Sequence, residues 1–357
     1  MVRAVYPAFA HQDFIAEVLD GYAPLSLTGR GQRVAEALRR HLPAEYPRAV
    51  ALLVESASQP HEHRASGGMA GFLFMPHLYF VARHGLDHFE ESMRAQYALT
   101  QRFTAEFSIR PYLEKYPEAT LARLREWTRD PSEDVRRLVS EGTRPRLPWA
   151  PRLRAFQKDP RPVLELLELL KDDPSLYVRR SVANNLNDIG KDHPALLVAT
   201  ARRWLRAAGA QRPSAQRQWI VKHALRSAIK RADAGALRAL GYGGAARVAV
   251  RKVSITPSRP RIGGAVTISF ELSSRAKRRQ RVMADLVVHF VKARGTGAKT
   301  FKLRAVDLPA GGHERLAKKI VLAQLTTRKH YPGVHRVAAL LNGKEFELGQ
   351  FTLSPVN

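Results

Sequence analysis

Residues 130–142 read DPSEDVRRLVSEG and residues 173–185 read DPSLYVRRSVANN. Asp-Pro-Ser, Val-Arg-Arg and the next Val fall in register at an offset of 43 residues. The same offset carries Val178 to Val221, where VKHAL stands in place of VRRSV, and runs back more weakly to Asp87 and Arg94. Around these landmarks, from about Pro24 to Leu240, apolar residues recur at helical spacing, as in RVAEALRRHL, ATLARLREWT, PVLELLELLK and ALLVATARRWL. Pro, Gly and Asp-Pro punctuate the runs, so this part is predicted to be all helix.

A period in the forties with two helices per unit is the pattern of HEAT-like repeats, which stack into a solenoid with an extended binding face. The Asp-Pro-Ser turn is expected to cap the second helix of each pair. On the face those second helices line, the helix after Ser132 presents Arg137 and Glu141 one turn apart. The helix after Ser175 presents Arg180, Asn184 and Asp188 at i, i+4 and i+8.

After the glycine-rich joint LGYGGAA (240–246) the period changes to two, in RVAVRKVSI, AVTISFEL, MADLVVHFV, FKLRAV, KKIVL, HRVAALL and EFELGQFTL. About seven short strands with an Asn342-Gly343 turn predict an immunoglobulin-like sandwich. The fold class is therefore multidomain: an all-α HEAT-like domain over 1–240, a linker over 241–246 and an all-β domain over 247–357.

The chain has 357 residues, 45% of them hydrophobic, enough for about two domains with their own cores. It carries 59 Lys and Arg against 32 Asp and Glu, a formal charge of +27, which points to a polyanion as partner. Residues 247–357 alone hold 22 basic and 6 acidic residues, and their run SSRAKRRQR (273–281) offers Lys277, Arg278 and Arg279 to phosphates. Absence of cysteine excludes disulfides, thiolate metal sites and cysteine nucleophiles, and fits a reducing cytoplasm. The N-terminus has no continuous apolar run, and GGMAGFLFMPHLYFVA is too short and too broken to span a bilayer. A soluble, cytoplasmic, nucleoid-associated protein is expected, with no membrane contact.

Within VRRLVSEGTRPRLPWAPRL (135–153), Arg136, Arg137, Arg144, Arg146 and Arg152 surround one acid, Glu141. A solvated face normally interleaves the two signs. The plain structural account is an i, i+4 ion pair of Arg137 with Glu141, contributing a few tenths of a kcal/mol, with Asp188 as a helix-end group. Against it, an acid in a phosphate-binding groove weakens binding, so Glu141 and Asp188 point to a cationic target. A base alkylated on a ring nitrogen is such a target in DNA, and cleavage of its glycosidic bond generates an oxocarbenium-like sugar. Carboxylates stabilise both cations and orient water, and a tryptophan face adds cation-π attraction. The lesion is already a good leaving group, so no general acid, cofactor or metal is called for.

RFTAEFSIRPYL, VRRLVSEGTRPRLPW, YVRRSVANNLNDIGKDHP and WIVKHALRSAIK together resemble the AlkC branch of the AlkC/AlkD superfamily of HEAT-like DNA alkylation-repair glycosylases, over about residues 67–241. The C-terminal sandwich is similar to the immunoglobulin-like domain found in part of that branch. The resemblance implies active-site acids at Glu106, Glu141 and Asp188 and an aromatic at Trp149. It also implies monofunctional excision of small cationic bases, 3-methyladenine above all and 3-methylcytosine as reported for the branch, from bent double-stranded DNA.

Phosphate contacts are expected from Arg144, Arg146, Arg152, Arg179, Arg180, Lys191, Lys222 and Arg226 besides the 277–279 run. Lys191 also has the chemistry for a Schiff base, but a phosphate contact suits it better. His84 and His88 stand at metal-ligand spacing without a third ligand, and are read as packing residues. The protein is expected to act as a monomer without an obligate protein partner. A non-catalytic HEAT-type binder of damaged DNA is the competing function, and a protein-interaction scaffold the next.

Overall fold

The 43-residue register is a register of burial. Val135, Val178 and Val221 are all fully buried, and so are Val139 and Val182 one turn on. They lie on helices Glu133–Gly142, Leu176–Asp192 and Ala215–Ala224, which pack on one another in that order. Helices Pro117–Trp127 and Arg161–Leu170 form the outer layer against the first two. This is the two-layer stacking of a HEAT-like array. The computed structural model describes residues 1–58, 67–206, 213–325 and 329–355.

The repeat motif holds its own turn together. Asp130 Oδ1 accepts the Ser132 N–H at 2.8 Å, and Asp173 Oδ1 accepts that of Ser175 at 2.8 Å. The aspartate thus caps the turn, while the Ser132 side chain makes no capping bond and Ser175 Oγ accepts from Tyr177 N. The first arginine of Val-Arg-Arg folds back in both units. Arg136 donates to the carbonyls of Asp130 and Pro131, and Arg179 to those of Asp173 and Pro174. Arg136 also reaches the next unit's Asp173 carboxylate at 2.7 Å, tying neighbouring repeats. Helices start earlier than the periodicity suggests, at Val2–Val5 and His11–Leu19.

Among the described residues no helix is long and apolar enough to cross a membrane. His84 packs on Phe80 and lies 3.6 Å from Glu36, and His88 stacks on Tyr46.

Among the described residues the C-terminal part has seven strands where period two predicts them: β1 Val248–Thr256, β2 Ala265–Ser274, β3 Gln280–Val291, β4 Thr296–Leu308, β5 His313–Val321, β6 Gly333–Leu341 and β7 Lys344–Leu353. They form two antiparallel sheets, ordered β1-β2-β5 and β4-β3-β6-β7. Alternate residues such as Ile268, Phe270, Leu286, Val288, Ala339 and Phe351 fill the core between them. Asn342 and Gly343 turn β6 into β7 with φ of 45° and 87°, as a type I′ hairpin requires.

By contacts the chain forms two compact units. One comprises Met1–Leu197 with the Ala215–Ala224 helix, and the other Val198–Arg206 with Leu225 onward. The change of period lies at 240/241, yet the short helices Arg226–Lys230 and Ala234–Ala239 group with the strands. Leu237 and Tyr242 pack with Met283 of β3, so the glycine-rich joint carries a buried anchor.

Candidate active site

Three acids from three separate segments meet in the helical unit. Glu106 lies in the turn that leads into helix Arg110–Lys115, Glu141 at the end of helix Glu133–Gly142, and Asp188 near the end of helix Leu176–Asp192. Arg144 joins two of them: its Nη1 donates to Glu141 Oε1 at 2.7 Å and its Nε to Asp188 Oδ2 at 2.9 Å. Arg137 joins the third, with Nη1 at 2.5 Å from Glu106 Oε2 and Nη2 at 3.6 Å from Glu141 Oε1. Ser181 donates to Glu141 Oε2, Lys191 to Asp188 Oδ1, and Thr104 to Glu106 Oε2. All three carboxylates are buried, Asp188 to 1% exposure.

Buried charges persist only when paired and hydrogen-bonded. Burial opposes the charge on Arg137 and Arg144, but the neighbouring carboxylates outweigh it and hold both guanidinium pKa values above their ordinary value. Arg137 also lies 5.1 Å over the Tyr177 ring. Among the described residues each oxygen of Glu141 and of Asp188 has a donor, whereas Glu106 Oε1 accepts no protein hydrogen bond.

Beside this cluster opens a cavity of about 280 Å³. Glu106, Glu141 and Arg144 line its polar side, and Phe72, Met75, Tyr79, Phe103 and Trp149 its apolar side. Trp149 is 80% exposed and has φ of 65°, a left-handed backbone rare for a bulky side chain. Such an exposed, strained aromatic does not pack a core; its ring is available to a ligand.

The structure corrects the reading of the arginine-rich stretch. Arg136 pairs with Asp173, Arg137 with Glu106, Arg144 with Glu141 and Asp188, and Arg146 with Asp192 at 2.8 Å. The surplus around Glu141 is therefore local to the sequence, because its counter-charges come from other segments. Arg144, 8% exposed, bonds to Asp188, Arg146 to Asp192, and Arg179 to its turn carbonyls. Arg152, Arg180, Lys191 and Lys222 are exposed, and Arg226 is half-buried. Asn184 is half-buried on the Asp188 helix.

In the second unit Lys277, Arg278 and Arg279 are exposed on the β2–β3 connection. With Arg247 and Arg281 they line a basic hollow of about 590 Å³ against the backbone of Gly241, Gly243 and Gly244. Arg279 lies 3.4 Å from Asp307.

Sequence reasoning missed Ser181, Thr104 and Arg110 as members of the site. A serine one helical turn before the register asparagine, or an arginine bonding to carbonyls, leaves no charge pattern to find.

A HEAT-like array followed by an immunoglobulin-like domain, with buried acids beside an exposed aromatic, defines a narrow class of repeat protein. Over 99% of its length the chain matches the structure of the Pseudomonas fluorescens alkylpurine DNA glycosylase AlkC bound to DNA containing an abasic site analog. Identity is 39%, 95% of that chain is covered, and the TM-score is 0.89. The uncharacterized protein YhaZ of Bacillus subtilis (strain 168) is 39% identical over 345 residues, spanning 96% of this chain and 92% of YhaZ. Residues 249–355 match the family model described as uncharacterised protein YhaZ, C-terminal Ig-like domain. The chain belongs to the AlkC family.

Proposed function

We propose that this protein is a monofunctional DNA glycosylase that hydrolyses the N-glycosidic bond of small cationic alkylated bases in double-stranded DNA, 3-methyladenine first among them. The observation that carries the reading is the convergence of Glu106, Glu141 and an exposed Trp149 on one cavity, with Asp188 bridged to Glu141 through the Arg144 that also lines it. The similarity to AlkC, an alkylpurine DNA glycosylase bound to DNA in its structure, supports the same conclusion.

The chemistry follows from which oxygens are occupied. Arg144, Arg137, Ser181 and Lys191 hold the Glu141 and Asp188 carboxylates in fixed orientations, so they act as oriented negative charge for the oxocarbenium-like sugar. Because the partners are already in place, little reorganisation accompanies the developing cation. Glu106 keeps Oε1 for a water, which it orients and deprotonates as the water attacks the anomeric carbon. The bond from that carbon to the ring nitrogen breaks, its electron pair neutralises the cationic base, and the base leaves without protonation. Trp149 holds the cationic base through the face of its indole. The exposed basic side chains of both units supply phosphate contacts.

Dimethyl-sulfate-treated duplex DNA incubated with the protein should release free 3-methyladenine, identified by mass spectrometry. Tight binding to the same DNA with no base released would instead establish the non-catalytic binder.

A further inference from the structure

Among the described residues no carboxylate bridges the buried cation Arg110. Its side chain is 4% exposed, and burial pushes its pKa down to about 10, with Glu114 opposing. Nη1 donates to the carbonyls of Gly142 at 3.0 Å and Arg144 at 2.9 Å, and Nη2 to that of Pro151 at 2.5 Å. These acceptors lie at the two ends of one loop. It begins where helix Glu133–Gly142 stops and ends just before the buried Leu153. Between the ends, Arg146 is tied to Asp192, Leu147 is buried, and Trp149 stands exposed with its left-handed backbone.

We propose that Arg110 is a positioning residue, whose guanidinium closes the 142–151 loop and thereby sets the Trp149 ring over the lesion cavity. Three features support this beyond general support of the fold. First, a charge buried against neutral carbonyls is a poor device for stability, since desolvation is offset only by dipoles. What the guanidinium uniquely supplies is a rigid planar fork that reaches three fixed acceptors at once. Second, the approach is built to be close: a Cβ on Gly142 would lie 2.5 Å from Ile109 Cγ2, so glycine lets the helix end settle against the residue preceding Arg110. Third, a left-handed tryptophan relaxes unless the backbone on both sides is held, and Arg110 holds both sides.

The inference rests on the glycosylase reading for its effect on rate, but not for its effect on the loop. Arg110→Lys keeps the charge and loses the fork. Single-turnover excision of 3-methyladenine should fall about tenfold, as a weakened cation-π contact implies. Affinity for duplex DNA carrying an abasic analogue should change by less than about threefold, because few phosphate contacts are touched. The decisive measurement is the double variant. If Arg110 works through Trp149, Arg110→Lys with Trp149→Ala should be about as slow as Trp149→Ala alone, since coupled residues are non-additive. In parallel, the Trp149 emission, obtained as the difference from Trp149→Phe protein, should depolarise faster in Arg110→Lys.

Rates that multiply in the double variant, or unchanged depolarisation, overturn the proposal. Should the wild-type protein release no base, the glycosylase reading fails while the depolarisation still decides where Arg110 acts. Should Arg110→Lys not fold, Arg110→Gln, which keeps two donors without a buried charge, takes its place in every arm.

Discussion

Replacing Trp149 by alanine separates a ring that binds from a ring that packs. A tryptophan side chain covers roughly 200 Å² when fully buried. At 80% exposure only about a fifth of it is covered here, and at ~25 cal/mol per Å² its removal costs about 1 kcal/mol. In a unit of about 200 residues that is a fall of about 2–4 °C in melting temperature. Trp204, 1% exposed, marks the contrast, for truncating a core tryptophan costs about 3–5 kcal/mol. The loss of function should be larger than the loss of stability. A cation-π term of about 2 kcal/mol in a partly dry site corresponds to roughly a thirtyfold slower excision of a cationic base. Trp149→Phe should recover part of that rate through its smaller face. Trp149→Gly, which carries no left-handed strain, should melt no lower than Trp149→Ala. Thermal melts beside single-turnover excision of 3-methyladenine provide the check. A large drop in melting temperature with unaltered excision below the melt would refute the assignment and make Trp149 a packing residue.

Glu106→Gln and Asp188→Asn should each slow excision by about 10²-fold or more, the range for a lost preorganised electrostatic group. Asp188→Asn should also lower the melting temperature more than Glu106→Gln, because it leaves Arg144 and Lys191 facing a neutral group at a 1% exposed position; equal melting curves would show that the bridge is not structural. Neutralising the β2–β3 run as Lys277→Gln, Arg278→Gln and Arg279→Gln together should flatten the slope of log affinity against log salt by about 2–3; an unchanged slope would mean the loop does not touch DNA. Burial holds His335 below its ordinary imidazole range, with its contact to the Tyr331 carbonyl opposing. The unfolded chain takes up that proton near pH 6.5 while the folded group stays neutral, so stability is present above about pH 6.5 and falls as pH drops below it. The melting temperature should therefore decline between pH 7.5 and 5.5, and His335→Gln should flatten the decline; an equal decline in both proteins would place the acid sensitivity elsewhere.

Local periodicity by itself determined the helical character of the stretch from about Pro24 to Leu240, the 43-residue repeat and the strands, though not the helices Val2–Val5 and His11–Leu19, and Val135, Val178 and Val221 are buried where the register puts them. Capping was readable for the same reason: an Asp-Pro-Ser turn is closed within a few residues, even though the aspartate and not the Ser132 hydroxyl does the work. Glu141 and Asp188 were reachable because helical spacing and repeat register are both local, and Glu106 came only with the family resemblance, its segment lying outside the clear repeats. The i, i+4 pair of Arg137 with Glu141 was readable, but charge pairing between distant segments was not. Arg136, Arg137, Arg144 and Arg146 stand as an uncompensated cluster in the chain, yet each finds carboxylates that include one 31 to 46 residues away, and only the fold brings them within 3 Å. Arg110 was invisible for a related reason, because it binds backbone carbonyls that every residue carries. The change from helical to strand period likewise marks where secondary structure turns over, not where compact units divide, because Leu237 and Tyr242 are drawn to Met283 by apolar burial that no local pattern records. Elements follow from interactions a few residues apart; the site follows from desolvated charges that must find partners wherever the chain returns them.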